Sequence, residues 1–225
     1  MAVRSRERLR IRRLARFVLT TSNASRLAAF YERAFGSRRL AFERRSGAEF
    51  ESLLDVRGGA VSVTLGLGNE VIELREFDRP GRPYPPAPSS FDLVFQHFAI
   101  VVTNMDEAYR RLSAVGGWTA ISVDGPQRLP PSAGGVAAFK FRDPEGHPLE
   151  LLAFANDAVP AHWRAVRDGN PCLGIDHSAI SVADTLGSVD FYERLGFTVA
   201  ARSRNSGLEQ ERVDALREPR VEITA

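Results

Sequence analysis

Polar and apolar residues alternate along three short stretches of this 225-residue chain. They are Arg16-Phe-Val-Leu-Thr-Thr21, His97-Phe-Ala-Ile-Val-Val102 and His177-Ser-Ala-Ile-Ser-Val182. A period of two predicts a strand with one face buried. The openings are spaced 81 and 80 residues apart, at 16, 97 and 177. Each is followed by apolar residues three and four apart, which predict an amphipathic helix. In the first repeat Leu27, Phe30, Tyr31 and Ala34 share a face, Ser22 or Asn23 can cap it, and Gly36 ends it. Phe191-Tyr-Glu-Arg-Leu-Gly196 closely repeats Phe30-Tyr-Glu-Arg-Ala-Phe-Gly36.

The remaining strands complete the units. Strand patterns at Arg39–Arg44, Ala60–Leu65 and Val71–Phe77 make the first unit, residues 14–78, a β-α-β-β-β module. Five prolines between Pro80 and Ser90 mark residues 79–92 as a linker, since proline removes donors and fixes the backbone. The second unit, 93–155, has strands at Phe95–Val102, Thr119–Val123, Val136–Arg142 and His147–Ala155, with a helix over Met105–Val115. Asp143-Pro-Glu-Gly146 is turn chemistry, and His147 reads as an exposed structural residue beside it. Residues 156–173 form a second linker. The third unit, 174–225, offers a strand at Ile175–Val182, a helix over Thr185–Leu195, a strand at Phe197–Arg202 and a last one from Val221. By comparison with the first unit its final strand is missing, so this copy is truncated or degenerate.

Charge changes little once it is localised. Residues 1–13 hold six of the 30 basic residues and one of the 28 acidic ones. Without them the balance is 24 to 27, a net of −3, so the basic character belongs to a leader. No aromatic-interleaved basic stripe follows, which argues against nucleic acid. No apolar run reaches membrane-spanning length and no signal peptide opens the chain, which predicts a soluble, cytoplasmic protein without a membrane partner. A single cysteine, Cys172, excludes an intrachain disulfide and a thiolate zinc site.

The chemistry sits on the alternating strands. His97, Ala99 and Val101 share one face, and the bulkier Phe98, Ile100 and Val102 belong under the helix. Glu73 and Glu150 alternate with apolar neighbours in the last strands of units one and two, 57 and 53 residues after their openings. A carboxylate in such a strand is costly unless paired or bound to metal. His97, Glu150 and Glu73 are therefore candidate ligands of a divalent ion, and Fe, Mn, Ni, Co and Zn all suit imidazole with carboxylate. Glu73 and Glu150 are also candidate general bases. Arg16 has no lone pair for a metal. It is a candidate substrate-binding residue, or the partner of Glu73 in a salt bridge. His177 marks a second candidate site.

These segments resemble the vicinal oxygen chelate superfamily, which includes glyoxalase I, bleomycin-resistance proteins and extradiol dioxygenases. The residues that carry the resemblance are His97-Phe-Ala-Ile-Val-Val102, the Phe-Tyr-Glu-Arg helices at 30–33 and 191–194, and Phe141-Arg-Asp-Pro-Glu-Gly-His-Pro-Leu-Glu-Leu-Leu152. The resemblance implies an α+β fold in which two βαβββ modules form one curved eight-stranded sheet, with ligands from the first and last strand of each. Here those positions are Arg16, Glu73, His97 and Glu150, and His177 in the incomplete third module. It further implies a metal-dependent enzyme acting on a small oxygenated substrate, a glyoxalase-like or epimerase-like lyase or isomerase. The alternatives are an extradiol-type ring-cleaving dioxygenase and a non-catalytic ligand-binding protein. Modules of this kind work in pairs, so the third implies either a fourth module in a longer native protein or, in its absence, a homo-oligomer through its unpaired edge.

Overall fold

The computed structural model describes residues 11, 13–155, 158–164 and 169–225, and most of the basic leader lies outside them. Unit one contains β1 (Phe17–Thr20), α1 (Ala24–Phe35), β2 (Arg38–Arg45), α2 (Ala48–Leu54), β3 (Ala60–Leu67) and β4 (Glu70–Phe77). Unit two contains β5 (Gln96–Val102), α3 (Met105–Val115), β6 (Thr119–Ala120), β7 (Gln127–Arg128), a 3-10 turn at Pro131–Ala133, β8 (Ala137–Arg142) and β9 (Pro148–Ala153). After a short α4 (Ala161–Arg164) come β10 (Cys172–Ile180), α5 (Thr185–Arg194), β11 (Arg202–Asn205), α6 (Leu208–Asp214) and β12 (Val221–Thr224).

Asparagine starts both large helices. The Asn23 side chain accepts from Arg26 N at 2.8 Å, and Asn104 from Glu107 N at 2.9 Å. Gly36 ends α1 at φ 67°, a conformation that costs glycine little. The helices α2 and α6 are not evident from the sequence pattern, because seven residues span about two turns and carry too little periodicity. The strand expected at Phe197–Arg202 is displaced to Arg202–Asn205. The Phe197 amide bonds back to Tyr192 O at the end of α5, so its backbone closes a helix instead of joining a ladder.

Three mixed or antiparallel sheets replace the expected eight-stranded one. Unit one forms β1-β4-β3-β2, unit two forms β10-β5-β9-β8-β6 with β7 beside β8, and β11 pairs with β12. The difference lies at β5. Its free edge is taken by β10 of unit three, antiparallel, and not by a strand of unit one. Units one and two meet through their helices instead. Leu27, Phe30 and Phe35 of α1 and Met105, Ala108 and Leu112 of α3 share one core with Val63, Leu65 and Leu74 of the first sheet and Ile100, Phe139 and Leu149 of the second. The Phe35 and Phe141 rings lie 6.2 Å apart across it. The bulky faces of β1 and β5 turn toward this core, as alternation requires: Phe17 packs on Phe98 at 5.3 Å between centroids. The opposite face of β5 therefore carries His97.

The 143–147 turn ties the two units together. Asp143 Oδ1 accepts from the amides of Glu145 and His147, at 2.8 and 3.0 Å. Its Oδ2 accepts from Tyr31 Oη of α1 at 3.1 Å and faces His147 Nδ1 at 2.8 Å. His147 Nε2 lies 2.9 Å from Thr20 O of β1. His147 is thus buried, not exposed as the turn pattern suggests. Burial acts to lower its pKa, but Asp143 and Thr20 both accept from the imidazolium and raise it above the usual histidine range. This pair contributes stability that is full below the unfolded-state pKa and is lost as pH rises through the raised folded value. The melting temperature of the wild type is expected to fall over that interval. His147→Gln, followed by thermal melts at several pH values, is expected to remove that dependence.

Candidate metal centre

The site is set by two ladders that meet on β5. In the parallel pairing of β5 with β9, Ala99 stands opposite Glu150. In the antiparallel pairing with β10, Ala99 stands opposite His177 and His97 opposite Ala179. His97 is two residues from Ala99 and so lies on the same face, diagonal to both partners. One potential ligand atom from each of His97, Glu150 and His177 falls within 4.8 Å of the others. Among the described residues, this is the group of histidine, cysteine or acidic side chains whose spacing could hold a metal ion.

His97 Nε2 lies 2.9 Å from Glu150 Oε2, with side chains 8% and 9% exposed. The His97 and His177 rings stand nearly perpendicular, 5.7 Å between centroids. His177 is more open, and its Nδ1 lies 3.0 Å from Asp176 Oδ2. Burial lowers the pKa of His97 and outweighs the adjacent Glu150. Burial would raise Glu150, yet the His97 hydrogen bond and the charge of Lys140 bring it down to about 2. Burial would also lower His177, but Asp176 and Glu150 hold it above the usual histidine range. Lys140 stands opposite Glu150 in the β8–β9 ladder. Its ammonium is already bound by the buried Asp214 of α6, at 2.6 Å.

This donor set fits a divalent cation. It offers two imidazoles and an ionised carboxylate from three neighbouring strands of one sheet, a combination suited to first-row transition metals. The buried His97 Nδ1 has no hydrogen-bond partner among the described residues, and such orphaned atoms are uncommon in native structures. Among the same residues, Glu150 lacks a direct cationic partner other than histidine, because Lys140 is committed to Asp214.

Of the residues expected from the sequence, His97 and Glu150 come together, and the third member is His177 rather than Glu73. Glu73 stays inside unit one. Its Oε2 accepts from Arg16 Nη1 at 2.6 Å, and its Oε1 accepts from Arg75 Nη2 at 2.6 Å and from Ser62 Oγ at 2.9 Å. Burial would raise its pKa, but these donors hold it at about 2. Two guanidinium groups thus take the oxygens that a metal would need. His177 lies beside His97 and Glu150, since β10 joins the sheet of unit two. Asp176, Lys140 and Asp214 border the centre without having been singled out by pattern. Strict alternation would place Asp176 on the face opposite His177, and Asp214 lies in one of the unrecognised short helices.

A family model described as the Glyoxalase/Bleomycin resistance protein/Dioxygenase superfamily matches residues 13–151. No curated protein matches the chain. Among solved structures, a glyoxalase family protein from Bacillus cereus is 14% identical, with a TM-score of 0.50, over 66% of this chain and 98% of that one. TioX from Micromonospora sp. ML1 is 20% identical over 62% of this chain and 98% of its own, with a TM-score of 0.41. The fosfomycin resistance protein FosX from Listeria monocytogenes is 16% identical over 66% of this chain and 97% of its own, with a TM-score of 0.39. These likenesses concern the fold alone. Among the described residues, no helix is long and apolar enough to cross a membrane. With the matched span covering well over half of its residues, and with repeated βαβββ-like units in mixed sheets, the chain belongs to the glyoxalase/bleomycin resistance protein/dioxygenase superfamily.

Proposed function

We propose that the chain is a metal-dependent enzyme acting on a small oxygenated substrate, with His97, His177 and Glu150 as the metal ligands. The observation that carries this reading is the convergence of those three donors from β5, β10 and β9. A divalent ion bound there would supply Lewis acidity to substrate oxygens. The protein's part is to hold two imidazoles and one carboxylate on a rigid ladder. Glu150 stays ionised across the physiological range because its pKa is about 2. Arg16 and His97 border one cavity of about 250 Å³, together with Phe17, Phe98 and Tyr84. That cavity has room for a small molecule with an apolar body, and Arg16 would face an anionic group on it.

Two reactions compete, and the donor set favours one of them. A glyoxalase-like or epimerase-like step needs a proton acceptor with a pKa near the working pH. Glu150 is assigned here to the metal and Glu73 is held by Arg16, Arg75 and Ser62, so neither is free for that task. Two histidines and one carboxylate are instead the set used by non-haem iron(II) oxygenases. This supports the extradiol-type ring-cleaving reading over lyase or isomerase chemistry.

The test is metal loading followed by turnover. Purified protein supplied separately with Fe(II), Mn, Ni, Co and Zn is expected to retain close to one ion per chain with at least one of them. Iron-loaded protein is then expected to consume dioxygen in the presence of a catechol. Retention of metal with hemithioacetal turnover and no oxygen uptake would restore the lyase reading. Failure to retain any of the five ions would leave a ligand-binding protein.

A further inference from the structure

We infer that Asp176 is a positioning residue for His177, set in place by a β-bulge and anchored by Trp163. The inference rests on the metal-binding reading for its consequence but not for its geometry. In the ladder between β10 and β5, Ile175 pairs with Ile100 and His177 pairs with Ala99. Asp176 is therefore the extra residue, two on β10 opposing one step on β5. In a regular strand, residues 176 and 177 would point to opposite faces. The bulge breaks that alternation, and Asp176 Oδ2 comes to 3.0 Å from His177 Nδ1.

The other carboxylate oxygen is also held. Trp163 Nε1 donates to Asp176 Oδ1 at 3.3 Å. Trp163 lies on α4 and is buried against Val101 of β5 and Leu173 of β10. Its ring presses directly on the strand: a Cβ at Gly174 would lie 2.8 Å from the indole. The indole thus has a fixed seat, and the carboxylate between it and the imidazole has little freedom.

The chemical result is a choice of tautomer. An acceptor at Nδ1 keeps the ring proton there and leaves the Nε2 lone pair directed away from Asp176. The same contact fixes the ring plane. His97 has no such partner among the described residues: its Nδ1 is without one. The two imidazoles are thus held by different means, His97 by burial and by Glu150 at its Nε2, and His177 by a carboxylate that the bulge delivers to its Nδ1.

The test has two arms on the full chain. In metal-free protein, at a pH above the titration of His177, nitrogen-15 NMR is expected to find the proton on Nδ1. Asp176→Ala is expected to move a substantial share of it to Nε2. In the second arm, Co(II) titration followed by visible spectroscopy is expected to show a roughly 10–100-fold weaker affinity for Asp176→Ala, the range typical of partners that orient a ligand. Asp176→Asn keeps a carbonyl acceptor of the same shape and is expected to recover most of that affinity, which guards against a folding defect. An Asp176→Ala protein with unchanged tautomer and unchanged Co(II) affinity would overturn the inference. A wild type that binds no Co(II) would end the metal role of Asp176, while the tautomer arm would still decide the positioning.

Discussion

Glu150→Gln is expected to lower the affinity for the divalent ion by more than about 100-fold while leaving the fold intact. That exceeds the roughly 10–100-fold expected for partners that only orient a ligand. In binding terms it is at least about 2.7 kcal/mol. Glutamine keeps the side-chain shape and one carbonyl, which can still accept from His97 Nε2 across the 2.9 Å contact. What it loses is the charge on the face shared with two imidazoles. Equilibrium titration of wild type and variant with the same ion, beside thermal melts without metal, checks both halves. Equal affinity in the two proteins would remove Glu150 from the ligand set.

The pH dependence of the same titration carries a second signature. Metal must displace protons from its ligands. With a pKa of about 2, Glu150 holds none at neutrality. His97 is held below the usual range and His177 above it. Affinity in the wild type is therefore expected to fall as pH drops through the raised value of His177, not through a carboxylate titration.

The second large effect lies in unit one and concerns stability. Glu73→Ala is expected to destabilise the protein by about 3 kcal/mol, at the low end of the roughly 3–5 kcal/mol for breaking a buried ion pair. Arg75 is only 18% exposed and would be left facing the gap, whereas Arg16 is 46% exposed and can turn to water. Arg16→Ala is expected to cost much less, because Arg75 and Ser62 still bind the carboxylate. Wild type is also expected to lose stability in acid through Glu73. Its pKa is depressed, so the contribution is complete above the unfolded value of 4.5 and disappears as pH falls toward 2. Denaturant melts at several pH values between those limits, with Glu73→Gln as control, measure it. A variant as stable as wild type at pH 7 would show that the clamp holds nothing together.

Much of this was readable from residue order. The alternation around His97 and Glu150 sets each apart from the apolar neighbours of its own strand, because side-chain direction has a fixed period of two. The Arg16–Glu73 pair follows from the same rule, and Arg75, two residues from Glu73, was within its reach. The company that His177 keeps was not readable. It depends on which strand edge occupies the free side of β5, and both β1 and β10 carry suitable patterns. Asp176 escaped for a different reason: a bulge is a break in the period on which such reading relies.

The antiparallel seam between β5 and β10 has a consequence for how the centre tolerates change. Neighbouring strands are held about 4.8 Å apart by amide geometry alone. The two imidazoles ride on adjacent rails of one lattice, so their gap is metered by the peptide backbone. The strand spacing sets that gap, while Trp163, on the connection between Ala153 and Cys172, bears on the centre through Asp176. A one-residue slip is another matter, since it would turn His177 to the far side and leave His97 and Glu150 with an open coordination position.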